Sequence, residues 1–121
     1  MSTITDLLIL TPLVPEGPDP IDAVNAWCVE HAAGQSFGEL STDGAGGHKV
    51  FTNRVFACAG NYFPLTEFLE AFASNAFGWS AYDAAGTICI VDHEHADEVR
   101  AVRPDGERMH GKWGELAGWH R

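Results

Sequence analysis

The sequence predicts one α+β domain, built as a small mixed or antiparallel sheet with two helices on one of its faces. Three observations carry this. Two segments place apolar residues at helical spacing, five short runs rich in valine, isoleucine, threonine and aromatics alternate with turn residues, and a length of 121 residues suits a single core.

The elements follow in chain order. Ile4 to Leu10 is an apolar run closed by Pro12 and Pro15, which reads as a first strand. Asp19-Pro20 then opens a helix, with a carboxylate at the cap and proline at the first helical position. Ile21, Val24 and Cys28 recur at helical spacing beside Trp27, and Gly34 closes the helix in a left-handed conformation. Phe37 to Leu40 is a short second strand, and Thr42 to Gly47 is a flexible hairpin loop. Val50 to Ala59 is the longest strand expected, with Arg54 unusually in its middle.

Asn61-Tyr62-Phe63-Pro64 turns the chain into a second helix over about Leu65 to Asn75. There Leu65, Phe68, Leu69, Phe72 and Ala76 form an apolar stripe, while Glu67 and Glu70 lie off it in the first turns, where the helix dipole favours carboxylates. Trp79 to Ala84 and Thr87 to Val91 read as two strands joined by Asp83 to Gly86. Residues His95 to Arg103 fit a helix or a strand equally, and Pro104-Asp105-Gly106 is a turn in either case. The resulting order, β-α-β-β-α-β-β, is that of a ferredoxin-like arrangement or a near relative. The compact body spans 1–106. Residues 107–121 form a basic tail with Trp113, Trp119 and three glycines, expected to pack on the body or on a neighbouring subunit.

Composition narrows the function. The net charge is −10, and it is uneven: residues 1–99 hold two cations against fourteen acids, whereas residues 100–121 hold five cations against three acids. An acidic body repels phosphate, so nucleic acid is not an expected partner. No apolar run approaches the roughly 20 residues of a membrane span. The N-terminal Met1 to Asp6 has no basic region of the kind that opens a secretory signal. The three cysteines, Cys28, Cys58 and Cys89, are far apart and set among apolar residues, which suits free thiols in a reducing cytoplasm.

Candidate chemistry is sparse. Asp92-His93-Glu94-His95, with Asp97 and Glu98, follows a strand, so it sits at a strand end or in a loop. His93 and His95 are the candidate metal ligands, but no spacing in the chain specifies the further ligand that a zinc-like site needs. A solvated acidic loop is the simpler account. Gly44 to Lys49 lacks the Gly-Lys-Ser/Thr entry into a helix that a phosphate loop requires, and no serine lies in a nucleophile elbow. Phe56-Ala57-Cys58-Ala59 looks buried, an inert setting for a thiol. His31 complements the C-terminus of the first helix.

The sequence therefore reads as a binding protein rather than an enzyme. No cofactor is expected. Its acidic face, through Asp92, Glu94, Asp97 and Glu98 with Tyr62 and Trp113, is expected to engage a basic protein, in the general manner of small inhibitors or immunity proteins. The alternative is a small metal-binding protein or enzyme centred on Asp92 to His95. A homodimer completed by the tail is compatible with either.

Overall fold

A computed structural model of the chain describes residues 4–12, 19–41, 53–79, 86–93 and 99–111. They form six strands and two helices: β1 (Ile4–Pro12), α1 (Pro20–His31), β2 (Gly38–Leu40), β3 (Asn53–Asn61), α2 (Leu65–Ala73), β4 (Ile88–His93), β5 (Val99–Val102) and β6 (Arg108–Gly111). The fold is α+β. The sheet runs β2-β3-β1-β4-β5-β6, and all five pairings are antiparallel. A ferredoxin-like sheet has four strands; here a β5–β6 hairpin extends the sheet beyond β4.

The strands arise from period-two alternation. In β1, Thr5, Leu7, Ile9 and Thr11 are buried while Ile4 and Asp6 are exposed. Register aligns Leu7 with Cys58 and Val91, and Ile9 with Phe56 and Cys89, so one face of the sheet presents a continuous apolar surface. Both helices cover it. Val24 and Cys28 of α1 and Phe68, Leu69 and Phe72 of α2 join those strand residues in one core.

Local chemistry fixes each helix. The Asp19 carboxylate accepts from the Ile21 amide at 3.2 Å, Pro20 is the first helical residue, and Gly34 adopts φ +83° just beyond the end. In α2 the stripe is buried from Phe68 to Phe72, but the helix stops at Ala73 and Ala76 is exposed. The reason is a Schellman closure. Asn75 takes φ +62°, with Asn75 N–H donating to Phe72 O and Ala76 N–H to Ala71 O.

Arg54, the charge in the middle of β3, is a clamp. Its guanidinium donates to Glu39 at 2.9 and 3.0 Å and to Asp19 at 2.6 Å, and it lies 4.7 Å from the centre of the Phe56 ring. The helix cap, the edge strand and β3 are thus tied by one side chain. The Glu39 carboxyl is held below its ordinary value, first by the hydrogen bond from Arg54. That contribution is complete above the ordinary carboxylate range and is lost as pH falls through the lowered value.

Three sequence expectations change. Trp79 lies outside any strand: its ring is buried and its Nε1–H donates to Thr11 Oγ1 at 3.0 Å, while Thr11 shares a 2.9 Å hydrogen bond with Thr87. The remainder of that expected strand, the expected loop at 42–47 and the first residues, 50–52, of the strand expected from Val50 are outside the described residues. The ambiguous stretch resolves as strand at 99–102, because β4 offers an open edge that antiparallel pairing completes. Residues Arg108–Gly111 pair with β5 around the turn at Gly106, where φ is +95°. Residues 112–121, including Trp113, lie outside the described residues.

The opposite face of the sheet is also apolar. Leu8 and Leu10 of β1, Val55 and Ala57 of β3, and Ile88 and Ile90 of β4 point away from the helices and are half-buried. On β5, Val99 and Ala101 face the same way and are buried. None of the eight belongs to the core cluster under the helices.

Candidate functional site

The start of β1 and the ends of β3 and β4 meet at one end of the sheet, and the sequence-selected residues that can be described gather there. Register pairs Asp6 with Asp92, Thr5 with His93 and Ile4 with Asn61, the residue before Tyr62. Asp6 and Asp92 are both exposed and point away from the helices. At directly paired positions the two side chains start only about 4.5–5.5 Å apart.

The next positions point to the helix side. Thr5 is buried, and its Oγ1 makes a 2.7 Å hydrogen bond with His93 Nδ1. This bond fixes the imidazole orientation through one nitrogen and directs the other, Nε2, away from Thr5. His93 is therefore the last residue of a strand with an anchored ring. Among the described residues, no three histidine, cysteine or carboxylate side chains are grouped to hold a metal ion. Glu94, His95, Asp97 and Glu98 are outside the described residues.

Tyr62 and Phe63 part company. Phe63 folds into the core, edge-on to Phe68 at 5.3 Å and 6.4 Å from Trp27. Tyr62 stays outside, 64% exposed, in the left-handed region at φ +52°. The reversal between β3 and α2 demands that backbone, since it returns Phe63 over Gly60. An aromatic residue is a costly choice for it, by about 1–2 kcal/mol. The turn requires the left-handed backbone but not an aromatic side chain. Ile4, 44% exposed, flanks the same strand end.

The loop after α1 is locked beneath this end. Gln35 accepts from the Asn61 amide at 2.6 Å and donates to the Asn61 carbonyl at 3.0 Å, pairing with the strand end as another strand would. Asn25 does the same for Phe37, at 2.8 and 3.1 Å. His31 ends α1 with its ring 4.7 Å from Trp27. The Gln35 pair holds Asn61, the residue before Tyr62, in place.

The sequence singled out Asp92, His93 and Tyr62 at this end but missed Asp6, Thr5 and Ile4. Alternation in β1 places Asp6 outward; only the pairing of β1 with β4, remote in sequence, sets it opposite Asp92.

The thiols are unreactive. Cys28, Cys58 and Cys89 are free and buried. Burial pushes Cys28 up to about 11, with a smaller push from nearby Cys58, and burial also raises Cys58 and Cys89. All three stay protonated at neutral pH, so a thiol reagent is expected to label the folded protein far more slowly than the urea-unfolded chain. Equal rates, read by mass spectrometry, would contradict this burial.

No protein-family model, no curated protein and no solved structure matches the chain. Among the described residues no helix is long and apolar enough to cross a membrane.

Proposed function

We propose that this chain is a small binding protein whose acidic sheet end, formed by Asp6, Asp92, Tyr62 and Ile4, engages a basic segment of a partner protein. The observation that carries the reading is the pairing of Asp6 with Asp92 across the two central strands. Two carboxylates on neighbouring strands offer acceptors to a partner's lysine or arginine. The exposed ring of Tyr62 and the side chain of Ile4 add apolar contact area beside that charge. The net charge of −10 steers a basic partner towards the body. Three buried thiols suit a reducing, cytoplasmic setting. The fold reading that accompanies this is a ferredoxin-like unit, β1-α1-β2-β3-α2-β4, lengthened by the β5–β6 hairpin; the order β2-β3-β1-β4 and its antiparallel pairings support it.

The test is kinetic. A partner is isolated on the immobilised chain, and its association is followed with the wild type and with Asp6→Lys/Asp92→Lys. Association is expected to slow by at least about tenfold in the variant, and the wild-type on-rate to fall as salt rises. An on-rate indifferent to both changes would leave the acidic end without a role.

A second reading has one observation in its favour. The Thr5–His93 hydrogen bond orients the imidazole as a ligand or base would need. In that reading the segment Asp92-His93-Glu94-His95 binds a metal ion or serves a small enzyme. Titration with zinc separates the two: binding that vanishes in His93→Ala supports the metal site, and heat changes shared by wild type and variant do not.

A further inference from the structure

The outward side of β5 is covered, and we propose that the chain's own residues 112–121 cover it, with Trp113 and Trp119 seated on Val99 and Ala101. Both helices lie on the other side of the sheet. Yet Val99 is 3% exposed and Ala101 0%. An alanine on a sheet face open to water keeps its methyl exposed, as Ala59 of β3 does on this same face. Nor does the neighbouring strand shield Val99, since its partner on β6 is Gly111, which has no side chain.

The cover is uneven, and its slope locates its source. Ile90 of β4, Leu8 of β1 and Ala57 of β3 are half-buried, and at the far edge Leu40 of β2 is 49% exposed. A segment reaching over from the β2–β3 edge, such as 42–52, would bury β3 before β5. Residues 13–18 join β1 to the start of α1, and residues 80–85 begin at Trp79, whose indole is bound to Thr11 on the helix side. These three segments also meet the sheet at the end opposite Val99. Residues 94–98 do lead into Val99, but Glu94-His95-Ala96-Asp97-Glu98 has no large apolar side chain. Residues 1–3 enter at β1, two strands away.

Position, composition, reach and charge select the tail. It leaves β6 at Gly111, directly opposite Val99. Trp113, Leu116 and Trp119 supply the apolar area that an aliphatic sheet face takes. The ten residues 112–121 reach up to about 33 Å when extended, against about 14 Å across the three strand spacings from β6 to β1. Lys112 and Arg121 outnumber Glu115, and this end of the face carries the exposed Asp6 and Asp92. The inference does not rest on the binding function proposed above.

Nuclear Overhauser spectra of the full chain with labelled methyl groups test this. Contacts are expected from the methyls of Val99 and Ala101 to indole protons of Trp113 or Trp119, each indole being assigned by its loss in Trp113→Phe or Trp119→Phe. In a mixture of labelled and unlabelled chains the same contacts are expected within one copy; contacts found only between copies overturn the proposal. Methyls of Val99 and Ala101 whose contacts all run to residues outside 112–121 overturn it equally. Melting is the second measurement. Trp113→Ala/Trp119→Ala is expected to lower the melting temperature by at least about 5 °C, and an unchanged value would place the tail in solvent and end the proposal.

Discussion

Phe68→Ala is expected to destabilise the fold by about 3–5 kcal/mol, the largest effect of any single truncation argued from this core. Phe68 is fully buried, and five rings surround it: Phe63 at 5.3 Å, Trp27 at 5.5 Å, Phe37 at 5.7 Å, Phe77 at 5.8 Å and Phe72 at 6.2 Å. These come from α1, from the approach to β2, from the β3–α2 turn, from α2 itself and from the segment after α2. Alanine leaves a cavity that no single neighbour can fill, because each ring is also held by its own element. Domains of this size are stable by only about 5–15 kcal/mol, so the loss is a large fraction of the total. Urea titration is the measurement. The midpoint is expected to fall steeply with the slope unchanged. A shift below about 1 kcal/mol would mean that the surrounding rings collapse into the space and that the cluster is loosely packed.

Phe68 also shows how far the sequence could be read. Its place in the core follows from spacing with Leu69 and Phe72, a signal internal to one helix. The start of α1 is equally local, since Asp19 and Pro20 act on the amides next to them. Strand identity was legible where a short apolar run is closed by proline, as in β1. Elsewhere the deciding interactions are remote in sequence. Residues 99–102 have no strand signal of their own that outweighs a helical one; they become a strand because β4 presents an unpaired edge. Trp79 has a β-favouring side chain, but its indole N–H needs a buried acceptor, and Thr11 supplies it from the far side of the chain. Pairing, not propensity, decided both.

The same division applies to the candidate site. Asp92 and Tyr62 stood out because an acidic run and an aromatic turn are visible along the chain. Asp6 did not, since a single aspartate in an apolar strand looks like an ordinary outward residue. Its meaning comes from the partner strand. The second apolar face did leave a trace: Leu7-Leu8-Ile9-Leu10 is continuous rather than alternating, the pattern of a strand buried on both sides. Arg54 left the opposite trace. A charge mid-strand is visible in the sequence, and its three hydrogen bonds to Glu39 and Asp19 give it a structural role.

Gly60→Ala is expected to cost about 1–3 kcal/mol, although it adds a single methyl group. The glycine sits in β3 opposite Thr5, just before the reversal at Tyr62. A Cβ there would fall 2.7 Å from Cβ of Phe63 and 3.0 Å from its Cδ2. The clash is with an atom fixed to the backbone, so no rotamer change relieves it. Phe63 cannot retreat easily, because its ring packs on Phe68 and its carbonyl accepts from the Leu65 amide at 2.8 Å. The turn must therefore shift, and Tyr62 and the start of α2 shift with it. Gly38→Ala is the control. Gly38 is also in a strand, but an added Cβ there meets nothing within 4 Å, and a change within about 0.5 kcal/mol is expected. Paired urea titrations of the two variants give the comparison. Equal midpoints would show that the β3–α2 turn yields freely, and would remove the constraint that holds Tyr62 outward at the acidic end of the sheet.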